Sequence, residues 1–246
     1  MVRELAATQN SSFWSNQRRT QSMTLCHQRE VQKLVFDAYI EKKLIKGAPD
    51  GTFQNWSSDP IRPHIGTAPM TIMIPAWVDG TLTPVEKLDA HIRGLCHKAV
   101  SVFVMNQNRV LIQQRAIHKY HTPGLWANTC CTHPGWDEND LDCAVRRLDD
   151  ELGIKGISPE FKDTIEYRAD VGGGLIEHEV VAVFVANAPT NLHITPNTDE
   201  VMATRWIDIH DLASEVAKYP ENFTPWLRIY LSDHMTVIFG ETAQLS

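Results

Sequence analysis

Three histidines and two glutamates have the donor types of a metal site. His91 and His97 are six residues apart, His133 lies further along the chain, and one residue separates Glu177 from Glu179. Residues i and i+2 of a strand point to the same face of a sheet, so the two glutamates can converge on one cation or one substrate. Three imidazoles and two carboxylates would suit Mn²⁺, Mg²⁺ or Zn²⁺. The alternative is that these histidines are ordinary ones, because the chain contains 11.

A second group of carboxylates lies on a predicted helix. Leu141–Leu152 has apolar residues near helical spacing and is followed by Gly153, a residue typical of helix ends. The run from Glu138 to Ile154 resembles the Nudix box, Gly-x5-Glu-x7-Arg-Glu-U-x-Glu-Glu-x-Gly-U, in which U is an aliphatic residue. Helical spacing places several carboxylates of that box on one face, where they hold Mg²⁺ against a diphosphate.

The match to the box is partial. Thr132 stands where the box has glycine, while Arg147 and Asp150 stand where it has glutamate. The carboxylate missing at residue 147 is one that Nudix hydrolases use to bind metal. The resemblance therefore implies a diphosphate-binding scaffold whose hydrolytic metal cluster is broken. The residues alone leave another interpretation open, in which this is the charged, solvent-exposed face of an amphipathic helix.

A longer series of motifs is similar to the type I isopentenyl-diphosphate isomerases, from about residue 70 to residue 239. The most specific of them is the run Asn128-Thr129-Cys130-Cys131-Thr132-His133-Pro134. In the order and spacing of that family, the chain also has Ala90-His91, His97, Arg115, Pro123-Gly124-Leu125-Trp126-Ala127, Arg146-Arg147, Glu151-Leu152-Gly153, Glu177-His178-Glu179 and Phe223-Thr224-Pro225-Trp226. The resemblance implies an enzyme of isoprenoid biosynthesis that converts isopentenyl diphosphate to dimethylallyl diphosphate, adding a proton at C4 and removing one at C2.

The resemblance also implies a role for each matching residue. Cys131 and Glu179 are the expected catalytic acid/base groups, with Tyr167 assisting Glu179. One metal ion, Mn²⁺, Zn²⁺ or Mg²⁺, is expected on His91, His97, His133, Glu177 and Glu179. A separate Mg²⁺, bound with the substrate diphosphate, is expected on Glu151 and the carbonyl oxygen of Cys131. The expected substrate contacts are Lys87, Arg115, Lys119, Arg147 and Trp226.

Two other functions compete with an isomerase. One is a Nudix-type diphosphate hydrolase, against which Arg147 and the presence of Cys131 and Glu179 argue. The other is a catalytically inactive module that binds a diphosphate or a metal. The presence of every expected acid, base and ligand argues against that second alternative.

Placing these residues in one site requires strands and helices that alternate along the chain. Period-two and helical patterns predict strands over residues 71–78, 99–106, 110–114, 177–185 and 204–207, and helices over residues 141–152, 209–217 and 225–239. Mixed strands between helices predict an α+β fold, a Nudix-like α/β/α sandwich with a mixed sheet.

The first 69 residues differ from the rest and are predicted to be an N-terminal extension. They are rich in polar residues and predicted to be disordered, apart from one short helix over residues 29–45. The extension has two other interpretations: it is not native to the domain, with Met70 or Met73 as the true start, or it is a transit peptide. Residues 70–240 are the predicted isomerase domain, with a Nudix-like core over about 95–229.

Composition limits the partners and the compartment. The formal net charge is −7, and the negative charge lies after residue 69, which argues against nucleic acid as a partner. No apolar run is long enough to span a membrane, and no secretory signal is visible. Five cysteines, two of them adjacent, predict reduced thiols and a cytoplasmic protein. The expected partner is a small-molecule substrate, and the expected oligomeric state is a monomer or a homodimer.

Overall fold

Residues 72–240 are described by the computed structural model; the predicted extension, its helix and its boundary with the domain lie outside them. The strands are β1 (Met73–Val78), β2 (Thr81–Glu86), β3 (Cys96–Asn106), β4 (Arg109–Arg115), β5 (Trp126–Ala127), β6 (Cys130–Thr132), β7 (Glu160–Gly172), β8 (Leu175–Asn187) and β9 (Val201–Asp208). The helices are α1 (Lys87–Arg93), α2 (Asp140–Leu152), α3 (Ile209–Lys218), α4 (Pro225–Asp233) and α5 (Met235–Phe239), with a 3-10 turn at Pro220–Asn222.

Strand β3 is the centre of one mixed sheet. It pairs in parallel with β8 and antiparallel with β1, β4 and β6, while β7 extends the sheet beyond β8 and β9 beyond β4. The parallel register sets His97 opposite Glu179, and the antiparallel register sets Ser101 opposite Cys131. His97 and Ser101 are an even number of residues apart on β3, so all four side chains belong to the same face of the sheet.

Helices cover both faces of the sheet, which confirms the predicted α/β/α sandwich. On one face Val100 and Val102 pack with Leu148 of α2. On the other face Phe103 packs with Leu227 and Tyr230 of α4. The alternation of β3 side chains between two apolar clusters is what the period of two predicts for a strand buried on both sides.

Helix α2 begins and ends close to its predicted limits. At its start the Asn139 side chain accepts a hydrogen bond from the backbone N–H of Asp142 at 2.8 Å. At its end Gly153 adopts a left-handed φ of 63°, where a Cβ atom would lie 3.0 Å from the carbonyl oxygen of Thr195. Glycine is therefore required twice over, by its backbone conformation and by the space available. This cap fixes the last turn, which carries Glu151.

The predicted terminal helix over residues 225–239 is wrong in one respect, because it is two helices. His234 leaves the helical region at φ −128° and ψ 13°, and it separates α4 from α5. The sequence pattern also gave no strand at β7 and no helix at α1. Most side chains of β7 are exposed, and only Ile165, Tyr167 and Val171 are buried, so its apolar alternation is weak.

The cysteines and the lengths of the helices bear on two further expectations. The four cysteines within them are free thiols, as predicted. None of the described helices is both long and apolar enough to cross a membrane.

Candidate active site

The predicted metal ligands come together in one buried cluster. One donor atom from each of five side chains lies within 4.8 Å of the others, and all five residues are buried: His91, His97, His133, Glu177 and Glu179. Helix α1 supplies the first of them, β3 the second, the chain after β6 the third, and β8 the two glutamates. The glutamates flank His178 on β8, so strand alternation directs both into the cluster and turns His178 to the other face.

Backbone carbonyls set the orientation of two of the imidazoles. Nδ1 of His91 lies 2.6 Å from the carbonyl oxygen of Lys87, and Nδ1 of His97 lies 2.7 Å from that of Leu95. A carbonyl only accepts, so each Nδ1 carries its proton and donates it there. Each Nε2 therefore faces the cluster, and Nε2 of His97 lies 3.1 Å from Nε2 of His133. Second contacts of this kind orient histidines that ligate metals.

The charged and polar groups of the cluster fit a cation bound at its centre. Burial lowers the pKa of His97 most, but the neighbouring carboxylates of Glu177 and Glu179 together raise that pKa to about 10. Burial raises the pKa of Glu177, whereas His91 and His121 hold that pKa well below its usual range. Nε2 of His91 and Oε2 of Glu177 lie 3.3 Å apart, and both are buried without a hydrogen bond to any described residue. Buried nitrogen and oxygen donors without hydrogen bonds are suitable ligands for a divalent metal ion.

Glu179 belongs to the ligand cluster and also forms a hydrogen-bonded pair with Tyr167. Its Oε1 lies 2.9 Å from Nε2 of His133, and its Oε2 accepts a hydrogen bond of 2.5 Å from the Tyr167 hydroxyl. Burial and the neighbouring Glu177 raise the pKa of Glu179 to about 8 in the metal-free protein. A carboxyl group with a pKa near neutrality can give or take a proton under ordinary conditions.

Cys131 lies on the same face of the sheet, on β6. Its sulfur accepts a hydrogen bond of 3.3 Å from the Ser101 hydroxyl, whose oxygen is 2.9 Å from the Tyr230 hydroxyl. Burial, and then the charge of Glu179, raise the pKa of the Cys131 thiol well above its usual value. The neighbouring Cys130 is fully buried and packs against α2 on the opposite face. Of the two adjacent cysteines, only Cys131 shares a face of the sheet with the ligand cluster.

Four basic side chains form a positively charged region beside the cluster. Burial, together with the positive charges of Lys119, Arg147 and Arg115, lowers the pKa of Lys87 to about 8, against the opposing effect of Glu177. Positive charges this close together repel one another, so the region that they form favours binding of an anion. The structure thus brings together all the basic residues predicted to contact a diphosphate.

Glu151 lies at the edge of this region and is buried. Its Oε1 accepts a hydrogen bond of 2.7 Å from Arg147, and its Oε2 accepts one of 2.8 Å from the Gln113 amide. Arg147 also lies 3.4 Å from Glu200, which pairs with Lys119. The four charged groups form a continuous network at the C-terminal end of α2.

Trp226 is buried at the N-terminal end of α4. Its indole N–H donates to the Asn128 side-chain oxygen at 3.1 Å, which connects α4 to the Asn-Thr-Cys-Cys run. The guanidinium of Arg115 lies over its ring at 5.3 Å from the ring centroid. An aromatic surface therefore adjoins one of the four basic residues.

Comparisons with known proteins establish the family and the fold of this chain. A family profile for the NUDIX domain matches residues 96–227. An isopentenyl-diphosphate Delta-isomerase of Roseobacter denitrificans is 65% identical over 176 residues, which is 72% of this chain and 100% of that protein. One from Cereibacter sphaeroides is 67% identical over 172 residues, which is 70% of this chain and 97% of that protein.

The chain belongs to the isopentenyl-diphosphate Delta-isomerase family. Among solved structures, DR0079 from Deinococcus radiodurans shares its fold with a TM-score of 0.52 at 12% identity, over 65% of this chain and 96% of that one. That level of identity supports the fold alone.

Sequence reasoning missed several polar residues of this isomerase's site. Gln113 and Glu200 bind the predicted Glu151, Arg147 and Lys119. A glutamine next to an apolar run in a strand, as Gln113 is, carries no signal of its own, although its burial needs a partner. His121 was also missed. It lies two residues after the predicted Lys119, which is the only hint the sequence offers.

Proposed function

We propose that this isomerase interconverts isopentenyl and dimethylallyl diphosphate with Cys131 and Glu179 as its two proton-carrying groups. One observation carries the proposal: Glu179 contacts the ligand cluster through one oxygen and Tyr167 through the other, and it shares a face of the sheet with Cys131. This arrangement supplies two groups that exchange protons, each held by a separate hydrogen-bond partner.

The reaction needs one proton added at C4 and one removed from C2. An unactivated alkene is a weak base, so the proton must come from a well-positioned acid. One of the two groups gives a proton to C4 and the other takes one from C2, and their roles reverse in the reverse reaction. Tyr167 stabilises the ionised form of Glu179 by donating to its Oε2. Ser101 holds the sulfur of Cys131 in the same way.

A divalent metal would be held by the five clustered side chains His91, His97, His133, Glu177 and Glu179. Mn²⁺, Zn²⁺ and Mg²⁺ are the ions that such a nitrogen and oxygen donor set takes. A bound metal would supply positive charge that favours the ionised form of Glu179. His91 and His97 present Nε2 to that position through their backbone contacts.

The diphosphate end of the substrate is assigned to the basic region. Lys87, Arg115, Lys119 and Arg147 supply positive charge, and charge-assisted contacts of this kind are strong. Mg²⁺ entering with the diphosphate would bind Glu151 and the carbonyl oxygen of Cys131. Binding energy from the diphosphate then positions the small hydrocarbon end, which has no polar group of its own.

The positively charged state of the hydrocarbon must be protected from water. The buried ring of Trp226 supplies an aromatic surface, and a desolvated cation–π contact stabilises a cation by about 2 kcal/mol. Its indole N–H is already satisfied by Asn128, so burial of the ring leaves no polar group unpaired.

Analysis of the reaction products tests the proposed function, and variants of the two adjacent cysteines test the proposed site. The purified protein with isopentenyl diphosphate and Mg²⁺ should form dimethylallyl diphosphate without releasing phosphate. Cys131→Ser should lower kcat by orders of magnitude, while Cys130→Ser, on the opposite face, should have far less effect. Release of phosphate without dimethylallyl diphosphate would instead identify a hydrolase. Equal losses for the two cysteine variants would contradict the assignment of Cys131.

A further inference from the structure

His121 is a buried residue of the loop between β4 and β5 that adjoins both parts of the site. Its Nε2 lies 3.3 Å from Oε1 of Glu177. Its backbone carbonyl accepts a hydrogen bond of 3.2 Å from Arg115. The same residue therefore contacts a predicted metal ligand through its side chain and a predicted diphosphate contact through its backbone.

The two oxygens of Glu177 have different neighbours. Oε2 faces the ligand cluster, at 3.3 Å from Nε2 of His91, 3.7 Å from that of His97 and 3.9 Å from that of His133. Oε1 faces His121. A carboxylate that binds a metal through one oxygen is held in place by a contact to the other. His121 is in that second position.

The His121 ring is held from several sides. It stacks on the His91 ring at 5.6 Å with an interplanar angle of 25°, and it meets the edge of Trp226 at 6.0 Å. Nδ1 lies 3.3 Å from the Thr122 hydroxyl. Thr122 has a φ of 44°, a backbone conformation that β-branched residues rarely adopt. The loop therefore has an unfavourable backbone conformation at the residue that follows His121.

We infer that His121 is a positioning residue that fixes the Glu177 carboxylate so that Oε2 points at the metal. With Glu177 ionised, the contact requires that Nε2 of His121 carry the proton and donate to Oε1. The inference rests on the proposed metal site and adds a sixth side chain to it, one that acts through Glu177.

His121→Phe and His121→Gln separate the hydrogen bond from the packing. Phenylalanine keeps an aromatic ring against His91 but removes the donor, whereas glutamine restores a side-chain N–H. Both keep the backbone carbonyl that binds Arg115. His118→Phe is the matched control, because His118 is exposed in the same loop and its Nε2 lies 2.7 Å from the Asp199 carbonyl oxygen, away from the ligand cluster's side chains.

Metal affinity is the decisive measurement, made by titrating metal-free protein with Zn²⁺ against a chromophoric chelator. We expect His121→Phe to bind Zn²⁺ about 10- to 100-fold more weakly than the parent protein, the usual effect of removing such a contact. His121→Gln should recover most of that loss, and His118→Phe should match the parent. Thermal unfolding of the metal-free variants checks that they fold, and His121→Leu replaces the phenylalanine variant if that variant does not.

The outcomes distinguish this inference from the proposed metal site. If His91→Ala abolishes Zn²⁺ binding while a folded His121→Phe binds as tightly as the parent, His121 does not position Glu177. If His91→Ala also binds as tightly as the parent, the metal site itself is wrong. A glutamine variant as weak as the phenylalanine variant would likewise overturn the hydrogen bond as the cause.

Discussion

Tyr167→Phe removes one hydroxyl group and tests the proton-transfer pair most directly. The hydroxyl donates to Oε2 of Glu179 at 2.5 Å, and both residues are buried. Phenylalanine fills almost the same volume, so the edge-to-face contact of the ring with Tyr230, at 5.9 Å, is retained. The change therefore isolates the hydrogen bond to the catalytic carboxylate.

The size of the loss follows from the charge and burial of that hydrogen bond. A hydrogen bond to a charged group contributes about 1.5–3 kcal/mol. If the bond stabilises the transition state fully, each 1.36 kcal/mol corresponds to a tenfold change in rate. The expected fall in kcat is therefore about 10- to 150-fold. The upper half of that range applies here because water does not replace the lost donor at a buried oxygen.

The assay is the rate of dimethylallyl diphosphate formation at saturating substrate, with metal content measured on the same samples. Tyr120→Phe is the control, because the buried Tyr120 hydroxyl has no hydrogen-bond partner among the described residues and its removal breaks no hydrogen bond there. We expect kcat to fall in the Tyr167 variant alone, at unchanged metal content. A Tyr167 variant with the parent kcat, or a loss explained by missing metal, would refute the pairing with Glu179.

Three further changes have expected outcomes. Gly153→Ala should lower the free energy of unfolding by about 1–3 kcal/mol, measured with urea, because its φ is 63° and the new methyl group meets Thr195. KM should rise as the pH rises through about 8, where Lys87 loses the charge that attracts a diphosphate, and Lys87→Met should show a higher KM without that rise. Chelation should lower the melting temperature, because metal at 1,000 times its Kd stabilises the folded state by about 4 kcal/mol, and His91→Ala should not respond.

The sequence predicted that Glu177 and Glu179 of β8 share the site, because the alternation of side chains along a strand determines it. Two glutamates separated by one residue on a strand must share a face, and the structure places both in the ligand cluster. The end of α2 was equally predictable, since Gly153 follows a helical pattern at the position of a left-handed cap. Local periodicity and backbone preference determine such features, and both can be read from a few neighbouring residues.

Contacts made by loops and by distant strands could not be predicted in the same way. His121 reaches Glu177 only because the loop after β4 folds back over the sheet, and no local pattern encodes that path. Tyr167 was placed by resemblance, although the strand that carries it was missed. Its partner, Glu179, lies opposite it in the register of β7 and β8, which depends on pairing between strands and not on either sequence alone.

Arg147 explains how a diphosphate-binding scaffold can leave the diphosphate intact. A glutamate at this position, as in the Nudix box, would stand one helical turn from Glu151 and repel it unless metal ions lay between them. Arg147 instead donates to Glu151 at 2.7 Å, which neutralises that carboxylate without a metal. Fewer carboxylates then remain to gather the metal ions that activate water beside a phosphate. The buried ligand cluster lies instead with Glu179 on β8, the residue that we propose transfers a proton to or from carbon.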